Sequence, residues 1–125
     1  MSPDAATRDA LFKSFGRAFF KRDADALYEV CAPDFTWMTL DEAGAAKAIT
    51  GKAAVAEQLQ RRSATLENVR FEDVHYHHAP EATFMTVRIT ATNAATGAPH
   101  AEVGIERYTF KDGLIATKDV YRKPD

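Results

Sequence analysis

The sequence has little of what several functional classes need. A single cysteine, Cys31, among 125 residues excludes an internal disulfide and a zinc site built from several cysteines. Sixteen Lys and Arg against 18 Asp and Glu give a net charge of −2, whereas nucleic-acid-binding proteins normally carry a basic surplus. No apolar run approaches the roughly 20 residues of a membrane span, and the N-terminal Met-Ser-Pro-Asp lacks the basic and apolar segments of a secretion signal. We therefore expect a cytoplasmic protein with no nucleic-acid or membrane partner.

The residues that are present have the composition of a globular domain. Hydrophobic residues make up 46% of the chain and charged residues 27%, close to the usual proportions. A chain of 125 residues is long enough for one hydrophobic core and too short for two. The sequence therefore predicts a single domain over residues 1–125.

The first helix is predicted from its start signal and its apolar stripe. Ser2 followed by Pro3 is typical of an N-cap and the first helical residue. Apolar residues then recur at helical spacing: Leu11, Phe12, Phe15, Ala18 and Phe19. One wide face of this helix is therefore expected to be buried.

Two more helices and a strand are predicted before residue 68. Asp23 is expected to cap a short second helix that Pro33 ends. Residues 35–40 are rich in aromatic and β-branched side chains and predict a strand, and residues 41–48 predict a loop. Thr50-Gly51 is expected to begin the third helix.

The second half of the chain predicts a four-stranded antiparallel meander. Extended runs cover residues 69–78, 82–92, 99–110 and 114–122, and their connections are too short for crossover helices. The two middle strands are unusually long, so the sheet must curve, and Gly104 is expected at a bend or bulge. The predicted fold class is α+β: a cone-shaped barrel in which three N-terminal helices pack in a curved sheet with one open mouth, which implies a pocket.

Charge pairing predicts the register of the long strands. Placing Arg88 opposite Glu102 joins apolar residues on one face and opposite charges on the other. The same reasoning in the last hairpin pairs Glu106 with Lys118 and Glu102 with Arg122.

This register predicts one aromatic and ionic face, which also holds Phe84 and Tyr108, and one aliphatic face. The aliphatic face consists of Met85, Val87, Ile89, Val103 and Ile105. If the ionic face lines the hollow, the aliphatic face is too apolar to face water, and a second copy in a homodimer is expected to cover it. If instead the aliphatic face packs on the helices, the ionic row is outside and Asp119 becomes the inward carboxylate.

Two motifs resemble those of a known superfamily. Ile49-Thr50-Gly51-Lys52-Ala53-Ala54-Val55 resembles the opening of its third helix. Tyr108-Thr109-Phe110-Lys111-Asp112-Gly113-Leu114-Ile115, followed by Asp119-Val120-Tyr121, resembles its last hairpin. Together they are similar to the nuclear-transport-factor-2-like superfamily, in its ketosteroid-isomerase and SnoaL-like (polyketide cyclase) branch.

The resemblance implies a cystatin-like cone, usually a homodimer, with a mostly apolar pocket. Members include isomerases, cyclases, dehydratases and epoxide hydrolases. By this resemblance, Phe15 stands at the position of the isomerase tyrosine and Thr39 at that of its aspartate base, while Glu106 falls near its protonated carboxylic acid. The Arg-x-Asp of the epoxide hydrolases falls at residues 88–90, where Thr90 replaces the aspartate.

The candidate catalytic residues are Glu106, Arg88 and Lys118. A glutamate whose pKa is raised by burial can act as a general acid or base, and the two cations can steady an anionic intermediate. The alternative is a solvent-exposed row of surface ion pairs. The candidate ligand-binding residues are Phe15, Phe19, Trp37, Thr39, Phe84, Glu102 and Tyr108.

No metal or other cofactor is expected. His75 and His77 point to one face of their strand and could share a metal ion, but a third ligand is not evident. The sequence therefore predicts a protein that holds a small organic molecule in its pocket, as an isomerase, lyase or hydrolase working by acid–base chemistry. The alternative is a non-catalytic ligand-binding or dimerisation module of the same fold.

Overall fold

The computed structural model describes residues 2–41 and 43–125, and for residues 62–64 it describes the backbone only. The elements follow in the order α1 (Ala5–Lys21), α2 (Ala24–Glu29), β1 (Cys31–Leu40), β2 (Ala46–Thr50), α3 (Lys52–Thr65), β3 (Leu66–His78), β4 (Ala82–Asn93), β5 (Pro99–Lys111) and β6 (Leu114–Pro124). The predicted α+β class is confirmed.

The helix caps match the prediction for α2 and differ for α1. Asp23 caps α2, and its carboxylate accepts a hydrogen bond from the Ala26 amide at 3.1 Å. The cap of α1 is Asp4 rather than Ser2, because the Asp4 carboxylate accepts from the Thr7 amide at 2.8 Å. Pro3 therefore precedes the helix instead of beginning it.

Part of the predicted loop after β1 is a strand. β2 pairs with β1 in antiparallel fashion, and the turn between them is closed by the Asp41 carboxylate, which accepts from the amides of Ala43 and Ala45 at 2.9 Å each. Residue 42 of that predicted loop lies outside the described residues. β1 also begins earlier than predicted, so that Pro33 lies within the strand and α2 ends before it.

The six strands form one sheet in the order β2-β1-β6-β5-β4-β3, with β1 and β6 parallel and every other pair antiparallel. Register shifts interrupt β3, where Asn68 and Asp73 adopt positive φ values of 53° and 52°. Such bulges bend a strand and increase its twist. The bulge predicted at Gly104 is absent, since both registers run through that residue unbroken.

The helices pack on the concave face of this sheet. The buried core takes Phe12, Phe15 and Phe19 from α1, and Val55 and Leu59 from one face of α3. Strands β1, β4, β5 and β6 complete it with Phe35, Trp37, Met85, Val87, Ile89, Tyr108, Ile115 and Val120. In the described part of the chain, no helix is both long and apolar enough to span a membrane.

Arg8 fastens the start of α1 to the turn between β3 and β4. Its buried guanidinium donates to the carbonyl oxygens of Ala79, Pro80 and Ala82 at 2.6, 3.0 and 3.2 Å, and to Thr83 Oγ1 at 3.2 Å. These bonds fix α1 against the edge of the concave face.

The predicted register of β4 and β5 is wrong by one residue. Arg88 lies opposite Val103, and Ile89 lies opposite Glu102. The turn sets this pairing. Its six residues, 93–98, are closed by a hydrogen bond from the Asn93 amide to the Ala98 carbonyl oxygen, and Gly97 within the turn has a positive φ. The odd residues of β4 therefore share a face with the even residues of β5.

Hydrophobic burial explains why this register is favoured. It puts Met85, Val87 and Ile89 into the core, each at most 5% exposed. Burying such a side chain is worth about 1.5–3 kcal/mol, whereas a cross-strand charge pair contributes about 0.2–1 kcal/mol. The predicted aliphatic face is consequently divided: these three residues lie inside, and Val103 and Ile105 lie on the convex face.

Candidate functional site

Four polar side chains meet beneath the helices and form what we call the ionic cluster: Glu106, Tyr108, Lys118 and Arg122. Glu106 is 0% exposed and Lys118 3%. Glu106 Oε1 accepts from the Tyr108 hydroxyl at 2.5 Å and from the Lys118 ammonium, and its Oε2 accepts from Arg122 Nη2 at 2.5 Å. Lys118 Nζ also donates to the Tyr108 oxygen at 3.1 Å.

The β5–β6 hairpin brings these residues together. Glu106 lies opposite Val120, so Lys118 and Arg122 are its two diagonal neighbours on the concave face. The predicted pairing of 106 with 118 is wrong by two residues, yet a shift of two keeps every side chain on the same face. The predicted contacts of Glu106 with Lys118, and of Glu102 with Arg122 at 3.4 Å, are therefore present.

Gly104 makes room for the arginine. It lies opposite Arg122, and a Cβ atom added there would lie 2.7 Å from the carbonyl oxygen of Tyr121 and would overlap the Arg122 guanidinium. The missing side chain therefore lets Arg122 cross β5 and reach Glu106.

The cations keep Glu106 ionised. Burial by itself would raise the pKa of the carboxyl group, but the charges of Lys118 and Arg122 and the hydrogen bonds they donate outweigh it and lower the pKa to about 2. The predicted rise is therefore wrong. Burial and the neighbouring carboxylate raise the pKa of Tyr108 well above its usual value, so this hydroxyl stays protonated and donates.

Lys118 also lies among aromatic rings. Its Nζ atom is 4.7 Å from the ring centroid of Phe19, 5.3 Å from that of Tyr108, 5.8 Å from that of Phe15 and 5.9 Å from that of Trp37. A cation within about 6 Å of a ring centre is attracted by the ring quadrupole. The predicted residues Phe15, Phe19, Trp37 and Tyr108 thus surround the ammonium group.

A cavity of about 470 Å³ lies between the ionic cluster and the solvent, and we call it the mouth cavity. Lys118 and Arg122 contribute to its wall, together with Glu102 and His100. Its other lining residues include Phe19, Trp37, Thr39, Val69, Ile89 and Val120. It therefore combines an apolar surface with two cations, as ligand pockets commonly do.

His100 was not among the predicted site residues. Its Nε2 lies 3.4 Å from Glu102 Oε2, and Glu102 in turn contacts Arg122, so a row of polar side chains runs from the cavity opening to the ionic cluster. The alternation of side chains along β5 could have indicated His100, because residues 100, 102 and 106 lie on the same face of the strand.

Two predicted site residues lie on the convex face, away from the ionic cluster. Arg88 binds Asp125 at 2.5 Å and Glu72 at 3.4 Å, and Phe84 lies opposite Arg107 and His77. Both were placed wrongly for the same reason: the one-residue change of register turns the even side chains of β4 outward. Asp119, the alternative inward carboxylate, also faces outward, where it accepts a hydrogen bond from the Tyr121 hydroxyl at 2.8 Å.

Within residues 2–41 and 43–125, no three His, Cys, Asp or Glu side chains group closely enough to hold a metal ion. His77 lies 3.3 Å from the Thr86 hydroxyl, and His78 lies between Asp9 and Thr83 at 2.8 and 2.9 Å.

The comparisons with known proteins agree with this fold. A family model described as a SnoaL-like domain matches residues 12–118, which is most of the chain. The chain belongs to the SnoaL-like domain family. The predicted membership of the nuclear-transport-factor-2-like superfamily is confirmed. A search of curated proteins finds no match to this SnoaL-like domain.

Solved structures share the fold at low sequence identity. An NTF2-like protein from Burkholderia xenovorans LB400 has a TM-score of 0.82 and 18% identity over 96% of this chain and 92% of its own. A protein with a ketosteroid isomerase-like fold from Catenulispora acidiphila DSM 44928, in complex with trimethylamine, has a TM-score of 0.70 and 19% identity over 89% and 83%. TerC, co-crystallised with polyporic acid, has a TM-score of 0.76 and 15% identity over 94% and 92%.

Proposed function

We propose that this SnoaL-like domain binds a small organic molecule in the mouth cavity and stabilises negative charge on it with Lys118 and Arg122. The observation that carries the proposal is the position of these two cations, which lie in the cavity wall with their shared counter-ion, Glu106, buried behind them. Fixed charges in a site that excludes water stabilise a developing oxyanion without having to reorganise.

The reaction we propose is an isomerisation, lyase or hydrolytic step in which negative charge develops on a substrate oxygen. The proton released in such a step goes to water or to another group of the substrate, since neither cation accepts it. Lys118 and Arg122 are its catalytic residues, since both line the cavity. Glu106 is a positioning residue, because a carboxyl group with a pKa of about 2 is too weak a base to accept a proton near neutral pH. The solved relatives with trimethylamine or polyporic acid support a small-molecule ligand for this fold.

A non-catalytic binding module is the second candidate. It is favoured by the residues that replace the tyrosine and aspartate of the ketosteroid isomerases, Phe15 and Thr39, neither of which can move a proton. In this case the cavity would hold its ligand unchanged. The two candidates differ in the fate of a ligand that stabilises the protein. A catalytic protein converts that ligand to product during incubation, whereas a binding module leaves it unchanged.

We test charge stabilisation with 7-hydroxycoumarin, a fused two-ring phenol whose neutral and anionic forms have different excitation spectra. We expect the wild-type protein to bind the anion preferentially and to lower the apparent pKa of the bound dye. In Lys118→Met the preference for the anion should fall by about tenfold, which corresponds to one pKa unit. The control Lys111→Met removes an exposed lysine that pairs with Asp34, and should leave the dye spectrum unchanged.

Equal affinity for the neutral and anionic dye would contradict the charge-stabilising role while leaving the pocket in place. No binding of either form at millimolar dye would contradict the ligand site itself.

We further propose that the chain acts as a single cytoplasmic domain and forms a homodimer through its convex face. Ile105 and Tyr121 are 46% and 54% exposed there, beside Val103. This patch replaces the larger aliphatic face predicted from sequence. A two-fold axis would bring two such patches together and remove their apolar surface from water.

A further inference from the structure

Residues 74–78 of β3 form an exposed edge of the sheet. β3 is the last strand and pairs only with β4, and in the described part of the chain no strand pairs with its other side. Residues 73–78 are all exposed. Natural edge strands block further pairing with lysine, proline or a bulge. The segment Val-His-Tyr-His-His has neither lysine nor proline, and its register with β4 is regular once the bulge at 73–74 has passed.

Helix α1 runs along β3 in the opposite direction. Near the start of the helix, Asp9 Oδ1 lies 2.8 Å from His78 Nε2. Near its end, the Phe20 ring meets the Phe71 ring edge-on, with centroids 4.9 Å apart. Residues 9, 13, 16 and 20 are spaced by four, three and four, so they form one row on the helix surface. Because both ends of this row contact β3, its two middle residues lie beside the strand.

Gly16 leaves an opening in the row. A Cβ atom added there would meet no atom within 4 Å, and Gly16, Phe20, Val74 and Tyr76 line one space of about 120 Å³. A protein cavity of roughly 150 Å³ holds benzene, so this space fits a smaller group such as a branched aliphatic side chain. The apolar residues around it are exposed: Phe20 by 52%, Tyr76 by 40% and Val74 by 37%. An aliphatic side chain placed there removes apolar surface from water on both partners.

The outer side of α1 carries positive charge without a counter-ion. Lys13, Arg17 and Lys21 follow one another at one-turn spacing and are exposed, and we call them the basic row. Like charges at this spacing destabilise a helix. In the described part of the chain, no carboxylate lies within ion-pair distance of the three. Acidic groups from another molecule can therefore pair with them, at Lys13 closest to β3.

The carboxylates near this edge do not cancel the basic row. Asp9 is bonded to His78, and Glu72 pairs with Arg88 on the convex face. Asp73 is exposed at the bulge and forms no ion pair with the basic row. The surface between α1 and the edge of β3 is therefore apolar with a positive border.

We propose that the edge of β3 at residues 74–78 binds an extended acidic peptide segment of another protein. The backbone of the segment adds a strand to the sheet, one aliphatic side chain fills the space at Gly16, and its carboxylates pair with Lys13 and Arg17. This site does not depend on the ligand proposed for the mouth cavity.

Two other occupants fit the surface less well. A two-fold axis that joins the β3 edges of two copies puts both α1 helices on the same face of the joined sheet, and so brings the two basic rows toward each other. A lipid surface offers negative charge, but it has no extended backbone to pair with the edge of β3.

The test is a titration with the capped peptide Thr-Glu-Thr-Val-Thr-Glu-Thr, followed by the amide signals in ¹H–¹⁵N NMR spectra. Alternation along a strand puts its two glutamates and its valine on one face. We expect the amides of residues 74–78 and of Gly16 to shift. Binding should be roughly tenfold tighter than for the matched peptide with lysine in place of glutamate.

Backbone pairing is tested with two methylated peptides. Methyl groups on the backbone nitrogens of the threonines block one edge of the peptide strand, and methyl groups on those of the other residues block the opposite edge. Since only one edge pairs with β3, one methylated peptide should bind and the other should not.

The basic row is tested by charge reversal. Lys13→Glu should weaken binding of the glutamate peptide about tenfold and strengthen binding of the lysine peptide. The matched control Lys123→Glu makes the same change of charge on β6, three strands away from β3, and should bind as the wild type does. If circular dichroism shows Lys13→Glu to be unfolded, Lys13→Ala replaces it, with an expected loss of about threefold.

Four results would overturn the proposal. They are no shifts at millimolar peptide, shifts confined to residues of the mouth cavity such as Thr39, equal affinity for the two charged peptides, and binding of both methylated peptides. Shifts at residues 74–78 that depend on protein concentration alone would assign the edge to a second copy instead. Binding to phosphatidylserine vesicles without binding of the peptide would assign the surface to a lipid headgroup.

Discussion

Glu106 illustrates how one side chain can be fully buried and remain ionised. Its carboxylate has two cations and a hydroxyl as donors, and no exposed surface. Removing one partner of a buried ion pair typically costs about 3–5 kcal/mol, because the remaining charge stays desolvated. The ionic cluster is therefore expected to be both the chemical centre and a fragile point of the fold.

The pH dependence of the free energy of unfolding tests whether the buried Glu106 carboxylate stabilises the fold in its ionised form. The pKa of Glu106 is about 2 in the folded protein and near 4.5 as its ordinary value, so the stabilisation is present above pH 4.5 and is lost as the pH falls toward 2. We expect this group to account for on the order of 3 kcal/mol of the acid-induced loss. Urea unfolding from pH 7 to pH 2 measures it.

In Glu106→Gln we expect lower stability at pH 7 and a shallower decline toward low pH, since the titrating group is gone. The control Glu67→Gln replaces an exposed strand carboxylate and should follow the wild-type curve. A Glu106→Gln curve parallel to the wild type would show that Glu106 does not titrate in this way.

Single residues were predictable where their chemistry acts locally. The Asp23 cap of α2 and the shared buried face of Phe15 and Phe19 on α1 each follow from spacing along one helix. Arg8 was not predictable, because three of its partners are backbone carbonyl groups more than 70 residues away in sequence, and backbone acceptors have no sequence signature.

At the scale of elements, the β4–β5 hairpin separates what a pattern can predict from what it cannot. Alternation correctly predicted which residues of each strand share a face. It could not predict which face of β4 meets which face of β5, because that depends on whether the turn has an odd or even number of residues. The turn at 93–98 has six residues, an even number, and the pairing that it sets places Arg88 and Phe84 on the convex face.

Replacing glycine by alanine is expected to change the free energy of unfolding in opposite directions at Gly104 and Gly16. In Gly104→Ala the new methyl group meets the Tyr121 carbonyl and the Arg122 side chain, so we expect a loss of about 1–3 kcal/mol in the free energy of unfolding. In Gly16→Ala nothing obstructs the methyl group, so we expect a gain of about 0.5–1 kcal/mol from helix propensity. Urea denaturation of both variants measures the contrast, and equal effects would contradict the packing described at Gly104.

At the scale of the molecule, the order of the elements other than β2 and the curvature of the sheet were predictable. Turn residues divided the second half of the chain into four strands close to their observed bounds, and long strands implied a curved sheet. The parallel pairing of β1 with β6 joins strands from opposite ends of the chain, and no local pattern points to it.

The convex patch gives the prediction for assembly. Light scattering is expected to give twice the mass of one chain for the wild type and a single-chain mass for Ile105→Asp, because a carboxylate at the centre of an apolar contact is costly to desolvate. The control Leu40→Asp changes an exposed hydrophobic residue at the mouth cavity and should leave the mass doubled. A wild-type protein that remains a monomer at high concentration would contradict the homodimer.

At two places in the sequence, a residue of the convex face is followed directly by a residue of the concave face. Ile105 and Tyr121 face outward, and the residues that follow them, Glu106 and Arg122, face the ionic cluster. If the proposed second copy shifts β5 or β6, the charged group next to its contact moves by the same distance. Ligand binding and dimerisation would then be coupled, and each would change the affinity of the other by the same factor.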